Sequence, residues 1–282
     1  MNPKNFISGA FSQGQFMAAM EEDGYAVVEN VITEEFISRM IPQLEKAIAT
    51  EAEFHGTTDY KDYGMLLACP VYGGAFLELA DNSQLMLPFD WVLGDTSIIY
   101  VYTSSSMPPK ASNYSVRIHV DRPHFIPGYT EALGCLVLLN DFTEENGATW
   151  VLPKSHKQAE QPNEEYFYRE ATRIIAPRGS VFYFHLRLWH AGGANNTPNW
   201  RHSLGIGMVR PYLKQRIDLP RAMAQVDISH ISNFGLQKLG FFAQPPTSVA
   251  EFHAPPHERL YRQRSEWDIP SGNTPNNSFS NS

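Results

Sequence analysis

Apolar positions in the first third of the chain recur at helical spacing and are interrupted by turn residues. Residues 12–22 have this spacing and stop at an Asp-Gly pair, after which residues 25–32 are β-rich and predict a short strand. Thr33, followed by two glutamates, predicts the start of a second helix. Residues 53–75 have no clear period and indicate a connection, and residues 76–87 indicate a further helix.

From about residue 96 the pattern changes to short apolar runs that are rich in β-branched and aromatic residues. Turn-forming segments rich in Gly, Pro and Asn separate these runs. Many short strands behind a helical segment are typical of a sandwich or a jelly roll, so we expect a mainly β protein with flanking helices. The predicted strands are 97–103, 115–120, 134–140, 148–153, 172–176, 180–190 and 201–209.

The chain is predicted to form a single domain over residues 1–265, because no shift in composition marks a boundary and no internal repeat is apparent. This domain has a helical N-terminal part at about 1–95, a β core at about 96–212 and a C-terminal extension at about 213–265. The polar, low-complexity tail at 266–282 is predicted to be flexible.

Composition and charge narrow the class of protein. Hydrophobic residues make up 43% of the 282 positions and charged residues 18%, which is ordinary for a globular protein. The net charge of -8 argues against nucleic acid or an anionic membrane surface as the main partner. The two cysteines, Cys69 and Cys135, imply no disulfide framework. The sequence shows no secretory leader and no apolar run of transmembrane length, so a cytoplasmic protein is expected.

The segment SVRIHVDRPHFIP (115–127) places metal-ligating residue types at the end of an apolar run. Residues i and i+2 of a strand share a face, so His119 and Asp121 project together. An imidazole and a carboxylate side by side supply two of the three ligands of a facial 2-His-1-carboxylate iron site. A structural His–Asp hydrogen bond at a strand end has the same spacing, so the pair alone leaves both interpretations open.

A second segment, GSVFYFHLRLWHAGGANNTPNWRHSL (179–204), supplies the groups that such a site lacks. Its first strand ends on His190, and strand ends gather at one mouth of a jelly roll, so His190 could complete a three-ligand site. Arg201 offers a planar fork for a carboxylate, and Ser203 lies on the same face as a hydroxyl donor. A metal beside a carboxylate clamp predicts a site for iron and a small dicarboxylate.

The order of these four residues, His-x-Asp, then His, then Arg, resembles the phytanoyl-CoA dioxygenase family of Fe(II)/2-oxoglutarate-dependent oxygenases. The stretches DGYAVVENVITEEF (23–36) and ENGATWVLPKSHK (145–157) are also similar to that family, with Lys154 where glycine is usual. The resemblance covers about residues 15–210.

This resemblance implies a double-stranded β-helix (jelly-roll, cupin-like) core with His119, Asp121 and His190 as ligands of Fe(II). It implies 2-oxoglutarate as co-substrate, with its keto acid on the metal and its far carboxylate on Arg201, O2 as oxidant and ascorbate as a helpful reductant. The co-substrate is then decarboxylated to succinate while an unactivated carbon of the substrate is oxidised.

Two further residues are candidate contacts of 2-oxoglutarate. Tyr102 lies on the strand before the His-x-Asp segment, and Thr149 lies in the second family-like stretch. An ordinary cross-strand aromatic explains Tyr102 at least as well.

The remaining histidines near these motifs are predicted not to bind the metal. His124 follows Pro123 in a loop and is expected to face the substrate or to support the ligands. His156 is expected to be structural or exposed, and alternation along the strands turns His185 and His202 away from the site.

The predicted function is hydroxylation, desaturation or rearrangement of a small organic molecule. An acyl-CoA substrate is not supported, because no basic cluster for the CoA phosphates is present. A secondary metabolite is the expected substrate, and loops 53–75, 103–114 and 215–260 are expected to line its pocket. Asp121 argues against halogenation, because halogenating relatives lack this carboxylate.

Two alternatives stay open. One is a non-oxidative cupin-like metalloenzyme, which would not need Arg201, and the other is a non-catalytic jelly-roll binding module.

Overall fold

Nine strands form two β-sheets in the computed structural model, which describes residues 6–7 and 11–255. The strands are β1 (Phe6–Ile7), β2 (Tyr25–Val28), β3 (Ile98–Ser104), β4 (Ala132–Leu138), β5 (Trp150–Val151), β6 (Thr172–Arg173), β7 (Val181–His185), β8 (His190–Ala191) and β9 (Ser203–Val209). The larger sheet has the order β1-β2-β7-β4-β9-β3 and the smaller one the order β6-β5-β8. Neighbouring strands are antiparallel except for β1 and β2. This is the predicted jelly-roll core.

Helices pack against one face of the larger sheet. The first helix begins after Ser12, whose side chain forms a capping box with Gln15, and the second begins after Thr33, whose hydroxyl accepts from Phe36 N at 3.2 Å. Both starts agree with the predicted ones. The helices are α1 (Gln13–Glu22), α2 (Glu34–His55), α3 (Ala75–Ala80), α4 (Ser83–Leu93), α5 (Glu164–Glu170), α6 (Leu219–Ala222), α7 (Asn233–Lys238) and α8 (Val249–Phe252).

The two faces of the larger sheet belong to two different apolar cores. On β7, Val181 and Tyr183 pack with the helices, whereas Phe182 and Phe184 pack on the opposite face with residues such as Val151 of the smaller sheet. Period-2 alternation therefore separates a helical layer from an interior between the sheets. The candidate site lies on the interior side.

Three predicted elements differ in the structure. Residues 115–120 are not a strand, because the side chain of Asn113 accepts from Ser115 N at 3.1 Å and favours a 3₁₀ turn at Tyr114–Val116. The predicted helix at 76–87 divides into α3 and α4, because Asn82 accepts from Leu85 N at 3.0 Å and caps a new helix.

The third difference concerns the predicted strand 180–190. It ends at His185, where Leu188 N donates to the His185 carbonyl at 2.7 Å and forms a turn. The chain then enters the smaller sheet as β8. A single long strand was therefore wrong, since the segment moves from one sheet to the other.

A buried ion pair connects the C-terminal segment to the rest of the fold. Lys238 at the end of α7 contacts the carboxylate of Asp90 in α4, and also donates to the Asp95 carbonyl at 3.2 Å and the Ser97 hydroxyl at 3.1 Å. Burial lowers the pKa of Lys238 and raises that of Asp90, and each partner opposes the shift of the other. The predicted tail at 266–282 lies outside the described residues.

Replacing Lys238 by Met should lower the free energy of unfolding by about 3–5 kcal/mol, because it leaves the Asp90 carboxylate buried without its cation. Chemical denaturation at neutral pH measures this. The matched control is Lys157→Met, which breaks an exposed pair with Glu21 and should cost only about 0–1 kcal/mol. Equal losses in the two variants would contradict the anchoring role of Lys238.

Candidate metal centre and co-substrate cavity

His119 and His190 lie opposite each other on two paired segments. The N–H of each donates to the carbonyl of the other, both at 2.9 Å, in an antiparallel bridge. Directly opposed residues project to the same side of a sheet. The two imidazole rings accordingly approach with centroids 4.2 Å apart.

Asp121 joins these rings through the spacing of two residues that the sequence suggested. The Asp121 and Arg122 N–H groups both donate to the carbonyl of Leu186, at 3.0 and 3.1 Å. Asp121 Oδ1 lies 3.5 Å from His119 Nε2 and 4.0 Å from His190 Nε2. One ligand atom from each of the three side chains lies within 4.8 Å of the others.

The protonation of this cluster suits a metal ion. His119 Nδ1 bonds the Arg117 carbonyl at 2.8 Å and His190 Nδ1 bonds the Leu188 carbonyl at 2.9 Å. Because a carbonyl only accepts, each Nδ1 carries a proton, so Nε2 is the ring nitrogen that can bind a metal.

The charges of His190 and Asp121 agree with that assignment. Burial, together with His119, lowers the pKa of His190 to about 4, although Asp121 acts to raise it, so the ring is neutral at pH 7. Burial acts to raise the pKa of Asp121, but His190 and His119 outweigh burial and hold that pKa below its usual value. Two imidazoles and one carboxylate are a ligand set that suits Fe(II).

The three side chains face a cavity of about 500 Å³ that also contains Arg201. Arg201 is 1% exposed; its terminal nitrogens donate to the carbonyls of Gly147 and Ser105, and its guanidinium lies 4.4 Å from the centroid of the Phe142 ring. Its Nε has no hydrogen-bond partner, and no carboxylate of residues 11–255 forms an ion pair with it.

Burial lowers the pKa of Arg201 to about 10, which leaves the guanidinium charged at neutral pH. A buried cation without an anion is unfavourable. The cavity therefore has the two features that 2-oxoglutarate requires, a candidate metal cluster for its keto acid and a free arginine for its far carboxylate.

The other three candidate contacts of 2-oxoglutarate lie in different places. Thr149 lines the cavity, whereas the Ser203 hydroxyl donates to the Ser105 carbonyl at 2.9 Å and Ser203 is not among the lining residues. Tyr102 packs on the helical side, 6.3 Å from the Phe76 ring, and its hydroxyl is buried without a partner.

An irregularity in β3 explains the position of Tyr102. Simple alternation would place Tyr100 and Tyr102 on one face, but the register shifts between Ile99 and Val101. A bulge of this kind reverses the facing of the residues beyond it. Tyr100, Val101 and Thr103 therefore line the cavity while Tyr102 does not.

The other histidines near these motifs do not line the larger cavity, although His124 was expected to face the substrate or to support the ligands. His124, His156 and His185 line a separate cavity of about 330 Å³, in which the His156 and His185 rings lie 5.4 Å apart. His185 and His190 face different cavities because the turn after β7 separates them. Alternation along one strand, which the sequence suggested, is not the cause. His202 contacts Ser106 Oγ at 2.9 Å and Glu45 at 3.4 Å.

Sequence reasoning missed part of the lining of the larger cavity. Arg117 lies just before the His-x-Asp motif and outside the loops that were expected to line the pocket, whereas Tyr114 and Arg216 lie within those loops. The role of Leu186, whose carbonyl accepts from Asp121 N, could not be predicted from the sequence, because every residue has a backbone carbonyl.

Comparisons with known proteins agree with this geometry. The model of the family described as phytanoyl-CoA dioxygenase (PhyH) matches residues 20–203. The chain belongs to this family. It is a non-heme Fe(II)/2-oxoglutarate-dependent dioxygenase, as its motifs predict.

Individual relatives extend over different shares of the chain. The uncharacterized protein Rv1501 of Mycobacterium tuberculosis is 29% identical over 89% of this chain and 95% of its own length. The iron/alpha-ketoglutarate-dependent dioxygenase ausU of Aspergillus calidoustus is 25% identical over 66% of this chain and 67% of its own. The non-heme alpha-ketoglutarate-dependent epimerase SnoN from nogalamycin biosynthesis has a similar structure, with a TM-score of 0.58, 17% identity, and coverage of 71% of this chain and 83% of that one.

Within the described part of the chain, no helix combines the length and the apolar character that crossing a membrane requires.

Thr149→Val should weaken 2-oxoglutarate binding by about 3- to 10-fold, as expected for loss of one hydrogen bond at the cavity wall. Tyr102→Phe is the control: its hydroxyl lies outside the cavity, so the affinity should stay at the wild-type value. Titration of the iron-loaded protein with 2-oxoglutarate in the absence of O2 measures both. A loss in Tyr102→Phe alone would reverse the two assignments.

Proposed function

We propose that His119 Nε2, His190 Nε2 and a carboxylate oxygen of Asp121 hold Fe(II), and that Arg201 binds the far carboxylate of 2-oxoglutarate. One observation carries this proposal: the three ligand-type side chains and a buried arginine without an anion face the same cavity. A metal cluster and a carboxylate clamp in one enclosed space fit a keto acid that binds at both ends.

Bound iron supplies the activation of O2 that couples conversion of 2-oxoglutarate to succinate with oxidation of a carbon–hydrogen bond. The chain itself orients the reactants. The two Nδ1–H groups fix the imidazole planes, and the pairing of Asp121 N with Leu186 fixes the carboxylate. Val120, Phe184 and Leu186 line the cavity and reduce its water content near the cluster.

The substrate proposed is a small organic molecule of secondary metabolism, and the reaction is hydroxylation or a related desaturation or rearrangement. A cavity of about 500 Å³ is of the size that holds small ligands. The similarity to SnoN, described as part of nogalamycin biosynthesis, supports a role of this kind. The Asp121 carboxylate occupies the position at which a halogenase would accept halide, which supports oxygenation.

The alternatives that the sequence left open do not account for the cavity as a whole. A non-oxidative metalloenzyme has no use for a buried arginine that lacks an anion, and a binding module has no use for two imidazoles whose Nε2 atoms converge on one carboxylate. Release of succinate that depends on 2-oxoglutarate, Fe(II) and O2 tests the proposed activity, and its absence in iron-loaded protein would overturn it.

Alanine substitutions of the proposed ligands should differ in effect from an alanine substitution of their neighbour His124. His119→Ala and Asp121→Ala should each lose most of the bound iron and all turnover, because a three-ligand site is reduced to two. His124→Ala should keep near-stoichiometric iron and succinate formation, since His124 faces the other cavity. Metal analysis with circular dichroism as a folding check decides this. Iron loss in His124→Ala with retention in Asp121→Ala would refute the ligand set.

Arg201→Ala should weaken 2-oxoglutarate binding far more than iron binding. Removing one partner of a buried charge pair costs about 3–5 kcal/mol, which is a loss of at least about a hundredfold. The visible charge-transfer band of the anaerobic Fe(II)/2-oxoglutarate complex measures the affinity. Arg201→Lys keeps the charge and removes the fork, so it should be intermediate. Wild-type affinity in both variants would show that the clamp lies elsewhere.

A further inference from the structure

The charges around the cavity do not cancel once its proposed contents are bound. Its charged lining residues are three arginines, Arg117, Arg201 and Arg216, and two aspartates, Asp62 and Asp121. This leaves one positive charge in excess. Fe(II) carries two positive charges and 2-oxoglutarate two negative ones, so loading the site does not change that excess.

The two arginines that the co-substrate does not use form no close ion pair with a carboxylate, although Arg117 is near enough to Asp121 to lower its pKa. Among residues 11–255, neither Arg117 nor Arg216 forms an ion pair. Both side chains are exposed toward the solvent while they line the cavity. They are therefore available to a ligand that enters from the mouth.

Both arginines are held in place by neighbouring groups. The Arg117 guanidinium lies 3.7 Å from the centroid of the Tyr114 ring, and its backbone carbonyl accepts from the metal-site residue His119. Arg216 N donates to the Tyr100 carbonyl at 2.9 Å, which fixes its backbone beside the edge strand β3. Stacking of an arginine on an aromatic ring leaves the edge of its fork free for an oxyanion.

Apolar side chains line part of the same cavity as these arginines. Met65 and Leu67 line the mouth, and Leu67 is 47% exposed although it is a large hydrophobic residue. Tyr100 and Val101 continue this surface into the cavity. A ligand that suits this wall has an apolar body and one anionic group.

We propose that the substrate is a small organic acid whose carboxylate binds Arg216 and Arg117, while its apolar body lies along Tyr100, Val101 and Leu67. This inference rests on the proposed function, because it assigns Arg201 to 2-oxoglutarate and only the two outer arginines to the substrate. The carbon that is oxidised is then one that the bound acid presents to the metal cluster.

A matched pair of probes tests the inference on the anaerobic Fe(II)/2-oxoglutarate-loaded protein. Naphthalene-2-acetate and its neutral amide have nearly the same shape, and equilibrium dialysis gives the affinity of each. The wild type should bind the acid about tenfold more tightly than the amide, which is about 1.4 kcal/mol. Added salt should reduce this ratio, because exposed charges are screened.

Arg216→Gln and Arg117→Gln should each bring the acid-to-amide ratio toward one, and Arg216→Glu should favour the amide. Arg221→Gln, an exposed arginine of α6 that does not line the cavity, should keep the wild-type ratio. A wild type that does not distinguish the acid from the amide overturns the inference, as does a ratio that survives in both Arg216 variants.

The same samples separate this inference from the proposed function. Their charge-transfer band reports whether the iron and 2-oxoglutarate are bound as proposed. Loss of the band in the wild type contradicts the proposed function, whatever the ratio. A normal band together with equal binding of acid and amide contradicts only the assignment of the outer arginines.

Discussion

Two backbone N–H groups, those of Asp121 and Arg122, donate to the same carbonyl, that of Leu186. The Leu186 side chain lies over the larger sheet, where β4 and β9 place Gly134 and Gly207 directly opposite each other. A Cβ on Gly134 would lie 2.5 Å from Leu186 Cδ2, and one on Gly207 would lie 3.6 Å from Leu186 Cδ1. The absence of a side chain at Gly134 therefore lets Leu186 sit close to the sheet, and the position of the Asp121 carboxylate follows from that packing.

The two histidines are oriented by a simpler and more local device. Each ring bonds, through Nδ1, the carbonyl two residues before it: that of Arg117 for His119 and that of Leu188 for His190. The bridge between the two backbones then sets the separation of the rings. All three proposed ligands thus depend on two segments, 117–122 and 186–190. The turn after β7 supplies the Leu186 carbonyl that holds Asp121 and the Leu188 carbonyl that orients His190.

The sequence predicted the site better than the path of the chain around it. Spacing alone placed His119 beside Asp121, because residues two apart share a side even where only His119 forms a bridge. The strand ending at His190 and the planar fork of Arg201 then suggested the remaining groups, and the family-like order of motifs agreed with them. For Tyr102 the sequence left a cavity contact and an ordinary cross-strand aromatic both open, because the bulge in β3 that turns it from the cavity cannot be read from alternating residues.

Lys154, at the position where the family usually has glycine, shows a second limit of pattern reading. Its backbone has φ 68°, in the left-handed region that glycine enters without strain, and its N–H donates to the Asp23 carbonyl at 2.9 Å. The tertiary contact retains the conformation that the family pattern implies, although the residue itself does not favour it. A substitution in the sequence therefore did not indicate a change in the backbone.

Burial divides the arginines of the cavity into two kinds with different physical roles. Arg201 is desolvated, stacked on Phe142 and hydrogen-bonded to two carbonyls, so its interaction with an anion is strong and only weakly screened. Arg117 and Arg216 are exposed, so water and salt screen their attraction for a ligand. A co-substrate common to a family fits the first environment, which is built into the core. A substrate that differs between relatives fits the second, because both arginines lie outside the sheets and their side chains can change while the backbone carbonyl of Arg117 still orients His119.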